Sequence, residues 1–257
     1  MIETTLDAVL GGRLHLRQPK RGHRVGHDAI LLAAATDAQA GEHAVDLGAG
    51  IGGAGLALAR RVDGLQVTLV EIDVDLAALA AENAERNGLA DRVRVLAADA
   101  GDIGALSARG LAPASIDRVL MNPPFNDARR QNVSPDPRRR LAHVAPPGLI
   151  KRWAATAAFL LKPGGVLTLI WRAEVRDEVL DALADGFGGI TVLPVAPRPN
   201  APPIRVLVRA INGAAAGPLG ARPLDLPVFV LNETNGKASA AAEAVLRAGE
   251  TLSLARD

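Results

Sequence analysis

The chain has 257 residues, enough for one large domain or for one domain with appendages. It contains no cysteine, which excludes disulfides, thiolate metal ligands and cysteine nucleophiles. Although 49% of the residues are hydrophobic, no apolar run is long enough to span a bilayer, and the polar N-terminus predicts no signal peptide. We therefore expect a cytoplasmic protein without a membrane contact.

The net charge is only +1, but positive charge is concentrated in two segments of the chain. Residues 13–27 contain five Lys or Arg side chains and no acid, whereas residues 126–152 contain seven against two acids. Uneven charge of this kind favours contact with a polyanion, and solvated surface loops are an equally good explanation. The long second segment is polar and rich in proline, which is typical of a binding loop beside an active site. Five of its arginines suit RNA phosphates: Arg129, Arg130, Arg138, Arg139 and Arg140.

Strands and helices alternate through the middle of the chain. Strands are predicted at residues 44–47, 66–72, 92–97, 116–121, 165–171, 190–195 and 204–210. Helices are predicted from the glycine-rich loop to about residue 62, and at 74–87, 153–161 and 174–186. This pattern predicts an α/β fold with a mostly parallel seven-stranded sheet, one antiparallel edge strand and helices on both faces. Residues 213–257 add a short strand near 228–231 and a helix near 240–246.

A glycine-rich loop follows the first of these strands. Gly48, Gly50 and Gly53 match the dinucleotide-binding pattern G-x-G-x-x-G. Glu71, at the end of the next strand, has the spacing of an acid that accepts hydrogen bonds from both ribose hydroxyls. Either NAD or S-adenosylmethionine (SAM) would satisfy this pattern, and a packing turn without a ligand is the structural alternative.

Two further acids favour SAM over NAD. Asp46 ends the first strand, where an anion would repel a pyrophosphate but would pair with the amino group of a methionine moiety. Asp99 follows the third strand and is placed to accept a hydrogen bond from an adenine amino group. Capping of the next helix is an alternative role for Asp99.

The tetrapeptide Asn122-Pro123-Pro124-Phe125 ends the fourth predicted strand. A residue before proline is kept out of the α region, and proline has no N–H, so these residues predict a stiff loop that presents oxygen acceptors. Such a loop, with the amide side chain of Asn122 and the main-chain carbonyls as acceptors, is suited to holding an –NH2 group. The alternative is a tight turn with Phe125 in the core.

Together these motifs resemble the class I SAM-dependent methyltransferases that act on exocyclic amino groups. The resemblance rests on Asp46-x-Gly48-x-Gly50-x-Gly52, Glu71, Asp99 and Asn122-Pro123-Pro124-Phe125, and it covers about residues 40–210. More narrowly, residues 10–19, 22–33, 134–136, 142–143 and 242–247 are similar to the bacterial family of valine-tRNA adenine-N6 methyltransferases.

The resemblance implies a Rossmann-like fold and SAM as the cofactor. It implies a division into an N-terminal segment over the cofactor site (1–38), a SAM-binding core (39–212) and a C-terminal extension (213–257). The implied cofactor-binding residues are Gly26, His27, Asp46, Gly48, Ala49, Gly50, Gly52, Glu71, Ile72, Asp99, Ala100 and Asn122. The implied catalytic residues are Asn122, Pro123 and Phe125.

The helix expected after Gly26 and His27 begins near Asp28, whose carboxylate is a natural N-cap. Capping and core packing alone would also explain this segment.

The implied activity is methylation of an adenine amino group in RNA, and in tRNA in particular. Methylation of guanine N2 in ribosomal RNA, methylation of a protein glutamine amide, and a non-catalytic RNA-binding module of the same fold stay open as alternatives. An NAD-linked oxidoreductase has no use for residues 122–125. RNA would contact the arginines of the long loop and the basic N-terminal segment, and residues 213–257 could form a homodimer surface. No residues have the spacing of a metal site.

Overall fold

The computed structural model describes residues 3–21, 24–124, 148–214 and 222–255. Its first element is an antiparallel hairpin, for which no strand was predicted: β1 (Thr4–Val9) and β2 (Leu14–Pro19) flank a 3-10 turn at Leu10–Gly12. Buried and exposed side chains alternate along the first part of β2, and Leu14 and Leu16 enter the core. Part of the basic segment 13–27 is therefore a half-buried strand and not a solvated loop.

The remaining elements follow the predicted alternation closely. The strands are β3 (His43–Leu47), β4 (Gln66–Glu71), β5 (Val93–Ala97), β6 (Ile116–Met121), β7 (Leu161–Arg172), β8 (Phe187–Ala196), β9 (Arg205–Asn212), β10 (Leu224–Asp225) and β11 (Phe229–Val230). The helices are α1 (His27–Ala35), α2 (Gly53–Arg61), α3 (Val74–Arg86), α4 (Ile103–Ala108), α5 (Leu149–Leu160), α6 (Arg176–Leu183) and α7 (Ala240–Leu246). A 3-10 turn at Ala173–Val175 precedes α6.

The main sheet has the strand order β10-β8-β9-β7-β6-β3-β4-β5, and β11 also pairs with β8. Strands β3 to β7 are parallel, whereas β9 runs antiparallel to both β7 and β8. The chain leaves β3 toward β4 on one side and returns to β6 on the other, so the strand order reverses there. In open α/β sheets the crevice outside the carboxyl ends of strands at such a reversal is where ligands bind.

The predicted α/β fold class is confirmed, with two differences in detail. Over the described residues the sheet has nine strands, because the two-residue strands β10 and β11 pair with β8 beside the seven core strands, and β11 is the short strand predicted near 228–231. The antiparallel strand β9 is not an edge strand but lies between β7 and β8, and β8 and β9 form the predicted hairpin of the last two core strands. Within the described residues, no helix is long and apolar enough to cross a membrane.

Buried apolar side chains form two clusters, one on each face of the sheet. Residues of α1, α2, α3 and α7 belong to one cluster, and residues of α4, α5 and α6 belong to the other. Helix α3 shows how local signals set the boundaries: the Asp73 carboxylate caps it by accepting from the N–H groups of Asp75 and Leu76. Gly88, at φ +64°, ends it as predicted. The three-part division at residues 38 and 212 stays a prediction.

Candidate active site

The register of the parallel strands brings the predicted site residues to one edge of the sheet. Leu47 lies opposite Val70 on one side and Met121 on the other, and Glu71 lies opposite Ala97. Gly48 and Asn122 therefore follow neighbouring strands at the same level, with Glu71 on the other side of Gly48. This edge is the carboxyl edge at the strand-order reversal.

The glycine loop is held by main-chain hydrogen bonds. The N–H groups of Gly48 and Ala49 both donate to the Val70 carbonyl at 2.9 Å, and Gly48, Gly50 and Gly52 all have positive φ. A Cβ on Gly48 would overlap Cη2 of Trp153, so the indole of α5 takes the place of a side chain there. A Cβ on Gly50 would meet no atom within 4 Å, which leaves this glycine facing open space. Gly50 is thus the position where a ligand can approach the backbone of the loop.

Asp46 lies near the end of β3 and is almost fully buried, with 2% exposure. Its Oδ2 accepts a hydrogen bond of 2.8 Å from the N–H of Gly55 in α2. Burial raises the pKa of Asp46 to about 7, and the charge of Glu71 adds to this shift, although the bond from Gly55 opposes it. A buried carboxylate of this kind gains from a cationic partner such as an ammonium group.

Glu71 ends β4 with 6% exposure, and each of its carboxylate oxygens accepts one backbone N–H. Oε2 accepts from Gly50 at 2.7 Å and Oε1 accepts from Asp73 at 2.8 Å, which links the acid to the glycine loop. Burial raises the pKa of Glu71, and backbone hydrogen bonds, with that from Asp73 the strongest, oppose this shift. Because each carboxylate oxygen has a second acceptor position, Glu71 can still accept from a diol. Ile72 follows it with 46% exposure and forms an apolar surface beside it.

Asp99 lies in the turn after β5. Its Oδ1 accepts from the N–H of Gly101 at 2.8 Å, and its carbonyl accepts from the N–H of Asp102 at 3.0 Å. Helix α4 is capped by Asp102 instead, whose carboxylate accepts from the N–H of Ala105. The alternative role of Asp99 as a helix cap is therefore wrong. Ala100 beside it is buried.

Asn122 follows β6 directly, and its Oδ1 is buried without a hydrogen-bond partner among the described residues. A buried carbonyl oxygen without a donor costs about 1–3 kcal/mol, so among the described residues this atom has acceptor capacity left for a ligand donor. Pro123 is buried and Pro124 is half-buried. Phe125 and the five arginines of the long loop lie outside the described residues.

The start of α1 differs from its prediction. Gly26 is the N-cap residue and His27 the first residue of the helix, so the prediction of Asp28 as the N-cap is wrong. Asp28 pairs instead with Arg205 of β9 at 2.9 Å. Gly26 and His27 are exposed and line a cavity of about 470 Å³ between the hairpin and α7. Val25 connects this segment to the glycine loop, since a Cβ on Gly53 would lie 2.6 Å from Val25 Cγ2.

Much of the positive charge in the basic N-terminal segment is neutralised within the protein. Ion pairs join Arg17 to Glu82, Lys20 to Glu3 and Arg24 to Asp7. These acids lie before the segment or far along the chain, so the sequence showed the cations without their partners. A direct contact of these three cations with RNA would have to compete with the ion pairs.

Two buried residues at this site were not predicted from the sequence. Trp153 fills the space beside Gly48, and its Nε1 is buried without a partner in the described part of the chain. Asn83 of α3 is fully buried and donates to the carbonyl of Ile51 in the glycine loop at 3.1 Å. The spacing of Asn83 and Asn87, four residues apart on one helix, was the available signal.

The residues present fit SAM. The buried carboxylate of Asp46 suits an ammonium group, Glu71 retains acceptor positions for a ribose diol, and Ile72 offers an apolar surface to a purine. Over residues 3–21, 24–124, 148–214 and 222–255, no group of three or more His, Asp or Glu side chains could hold a metal ion.

The sheet order and the contents of the carboxyl edge define a class I SAM-dependent methyltransferase. The chain belongs to the methyltransferase small domain family, whose model matches residues 23–196. This assignment agrees with the resemblance seen in the sequence and confirms SAM as the cofactor.

Two of the relatives that the chain resembles differ in their substrates. The tRNA1(Val) (adenine(37)-N6)-methyltransferase of Bacteroides fragilis is 30% identical over 187 residues, which cover 72% of this chain and 76% of the relative. The release factor glutamine methyltransferase of Chlorobaculum tepidum is 31% identical over 169 residues, and the alignment covers 63% of this chain and 56% of that enzyme. The chain thus spans little more than half the length of the second relative.

A solved structure is similar over nearly its whole length. A predicted O-methyltransferase from Agrobacterium tumefaciens is 28% identical, with a TM-score of 0.73, and the match covers 88% of this chain and 98% of that one. The matched region therefore extends beyond the SAM-binding core and contains most of the elements described above.

Proposed function

We propose that this methyltransferase modifies the exocyclic amino group of an adenine in RNA, and in tRNA in particular. The observation that carries the proposal is the buried Oδ1 of Asn122, which has no hydrogen-bond partner among the described residues and lies beside the glycine loop at the carboxyl edge. An –NH2 group is the donor that would satisfy this oxygen and also present a nitrogen lone pair for methylation. The similarity to a tRNA adenine methyltransferase over 76% of that relative supports adenine as the base.

In this proposal Asn122 and Pro123 act by positioning. The Asn122 side-chain carbonyl and the Pro123 main-chain carbonyl each accept one N–H of the amino group, which directs the lone pair toward the methyl donor. SAM supplies an electrophilic methyl group on a sulfonium that leaves as a neutral thioether. No strong base is needed before attack, because the nitrogen can release its proton after the N–C bond has formed. Phe125 would stack on the base and add about 1–3 kcal/mol of binding energy.

The cofactor side of the proposal uses residues that are already ordered. Asp46 would bind the methionine ammonium, Glu71 the ribose hydroxyls, and Ile72 one face of the adenine ring. Asp99 would accept from the adenine amino group with the capacity left beside its bond from Gly101. Gly50 is where the loop backbone would come closest to the cofactor.

A second candidate is methylation of a protein glutamine amide. The 31% identity to a release factor glutamine methyltransferase favours it, and a glutamine –NH2 fits the same two acceptors. The aromatic residue after Pro-Pro is typically tyrosine in that group, whereas position 125 is phenylalanine here, which favours RNA.

The RNA proposal has two further parts: a cytoplasmic location, and contacts between RNA phosphates and the five arginines from Arg129 to Arg140.

The test is transfer of labelled methyl groups from SAM to total tRNA, ribosomal RNA and protein fractions, followed by nucleoside and amino-acid analysis. We expect N6-methyladenosine in the tRNA fraction from the wild type and none from the Asn122→Ala variant. Label in guanosine of ribosomal RNA, or in protein glutamine with none in tRNA, would overturn the proposal.

A further inference from the structure

Helix α3 binds the edge of β2 through two asparagine side chains. The Oδ1 of Asn83 accepts from the N–H of Arg17 at 2.7 Å and its Nδ2 donates to the Arg17 carbonyl at 3.0 Å. Asn87 makes the same pair of bonds with His15, at 2.9 and 2.8 Å. Four helical residues rise about 6 Å and two strand residues about 6.8 Å, so the amides match every second residue of the strand.

Asn83 makes one further contact that Asn87 lacks. Its Nδ2 also donates to the carbonyl of Ile51, in the middle of the glycine loop, at 3.1 Å. The side chain is completely buried, so water cannot replace any of its three hydrogen bonds. One carboxamide therefore joins the N-terminal hairpin, helix α3 and the loop.

The loop needs such a contact because glycine has little intrinsic preference for one conformation. Positive φ values at Gly48, Gly50 and Gly52 select only one of the many conformations open to these residues. Because the peptide bond is planar and trans, holding the Ile51 carbonyl toward α3 directs the next N–H, that of Gly52, the opposite way. That N–H donates to the Ala49 carbonyl at 2.8 Å and closes the turn that contains Gly50.

We propose that Asn83 is a positioning residue of the cofactor site, which fixes the turn Ala49–Gly52 in its SAM-binding conformation through the Ile51 carbonyl. The hairpin β1–β2 contributes because its bonds to Asn83 orient the carboxamide toward Ile51. The proposal rests on the cofactor site proposed above and is independent of the proposed RNA substrate. SAM affinity thus depends on a residue that need not touch SAM.

The pair of asparagines provides a matched test. Asn83→Ala and Asn87→Ala each remove one amide from the same strand edge, but only the first releases the Ile51 carbonyl. By titration calorimetry with SAM in the absence of RNA, we expect the Kd to rise about tenfold in Asn83→Ala and to stay within about twofold in Asn87→Ala. With the RNA substrate, the KM for SAM should rise while kcat at saturating SAM stays near the wild-type value.

Asn83→Leu covers the case in which the alanine variant does not fold, since leucine has the same number and branching of side-chain heavy atoms as asparagine and leaves no cavity. Hydrogen exchange of the peptide that contains residues 49–53 should be faster in the folded Asn83 variant than in the wild type and in Asn87→Ala. Equal Kd changes in the Asn83 and Asn87 variants would show that hairpin packing alone matters and would overturn the proposal. An unchanged Kd in a folded Asn83 variant would do the same.

Discussion

The two halves of the carboxyl edge differ in how completely their polar groups are paired. On the side of β3 and β4, Asp46 and Glu71 bind backbone N–H groups, and Asn83 holds the loop between these strands. On the side of β6 and α5, Asn122 Oδ1 and Trp153 Nε1 are buried without partners among the described residues. Within the described part of the chain, the polar groups of the cofactor half are thus paired by the protein itself, whereas Asn122 Oδ1 has no donor and Trp153 Nε1 has no acceptor.

This difference has an energetic meaning. A buried polar group without a partner costs about 1–3 kcal/mol, and proteins retain such groups where a ligand is bound or chemistry is performed. Because the cofactor half already has its hydrogen bonds, SAM binding loses less conformational entropy there. In the acceptor half, the Oδ1 of Asn122 gains a hydrogen bond when an –NH2 group binds. Changes in the two halves should therefore affect different steps of the reaction.

The largest expected effect is that of Asn122→Ala. Loss of the acceptor should lower kcat at least about 100-fold because the amino group is no longer oriented, while the Kd for SAM changes less than about threefold. Loss of Oδ1 itself should cost no thermal stability, since this oxygen has no hydrogen-bond partner among the described residues. Asn122→Asp, which keeps acceptor oxygens, is the matched control and should retain part of the activity. A loss of SAM binding equal to the loss of kcat would remove the distinction between the halves.

A smaller effect is expected from Asp46→Asn, which should change how the stability of the fold depends on pH. The folded-state pKa of about 7 lies above the ordinary value of 3.8, so the stabilisation from protonated Asp46 is complete below pH 3.8 and is lost as the pH rises through 7. The free energy of unfolding of Asp46→Asn should not fall over this pH range. In thermal or urea unfolding at pH 8, the variant should be more stable than the wild type by roughly a few kcal/mol.

SAM binding should show the opposite pH dependence. Because the ammonium group favours ionised Asp46, the wild-type affinity for SAM should increase between pH 5.5 and 7.5, by up to about tenfold per pH unit below the pKa. Asp46→Asn should bind more weakly at pH 7.5, about tenfold, and show little change with pH. Calorimetry at several pH values measures both trends. A wild-type affinity that does not change with pH would contradict the pairing of Asp46 with the ammonium group.

The features that the sequence could predict are those set by neighbouring residues. Helix α7 has the predicted limits because its apolar pattern is local and Ser239 caps it, and Gly88 ends α3 through its own positive φ. The carboxyl edge was predictable because strand alternation dictates where the ends of parallel strands meet. The order of glycines and acids along the chain was then enough to place most of the candidate site.

The missed features depend on partners that are distant in the chain. The hairpin β1–β2 was not predicted because its exposed face is basic, and the acid that pairs with Arg17, Glu82, lies in α3. The contact between Asn83 and Ile51 joins residues 32 positions apart, so two asparagines on a helix indicated only a polar surface. Asp28 is a plausible cap by its position, yet its ion pair with Arg205 decides its orientation.

The smallest expected effect tests whether Ile72 forms one wall of the adenine site in the cofactor half. Ile72 is 46% exposed, and Val74, two residues on, is 64% exposed. If Ile72 covers one face of the adenine ring, Ile72→Ala should lose about 1 kcal/mol of apolar contact and raise the Kd for SAM about fivefold. Val74→Ala removes a similar side chain and should leave the Kd unchanged. Because both side chains are largely exposed, neither change should alter thermal stability by more than about 0.5 kcal/mol. Equal effects on the Kd would mean that the apolar surface beside Glu71 is not the adenine wall, and a large loss of stability would mean that Ile72 supports the strand end rather than the ligand.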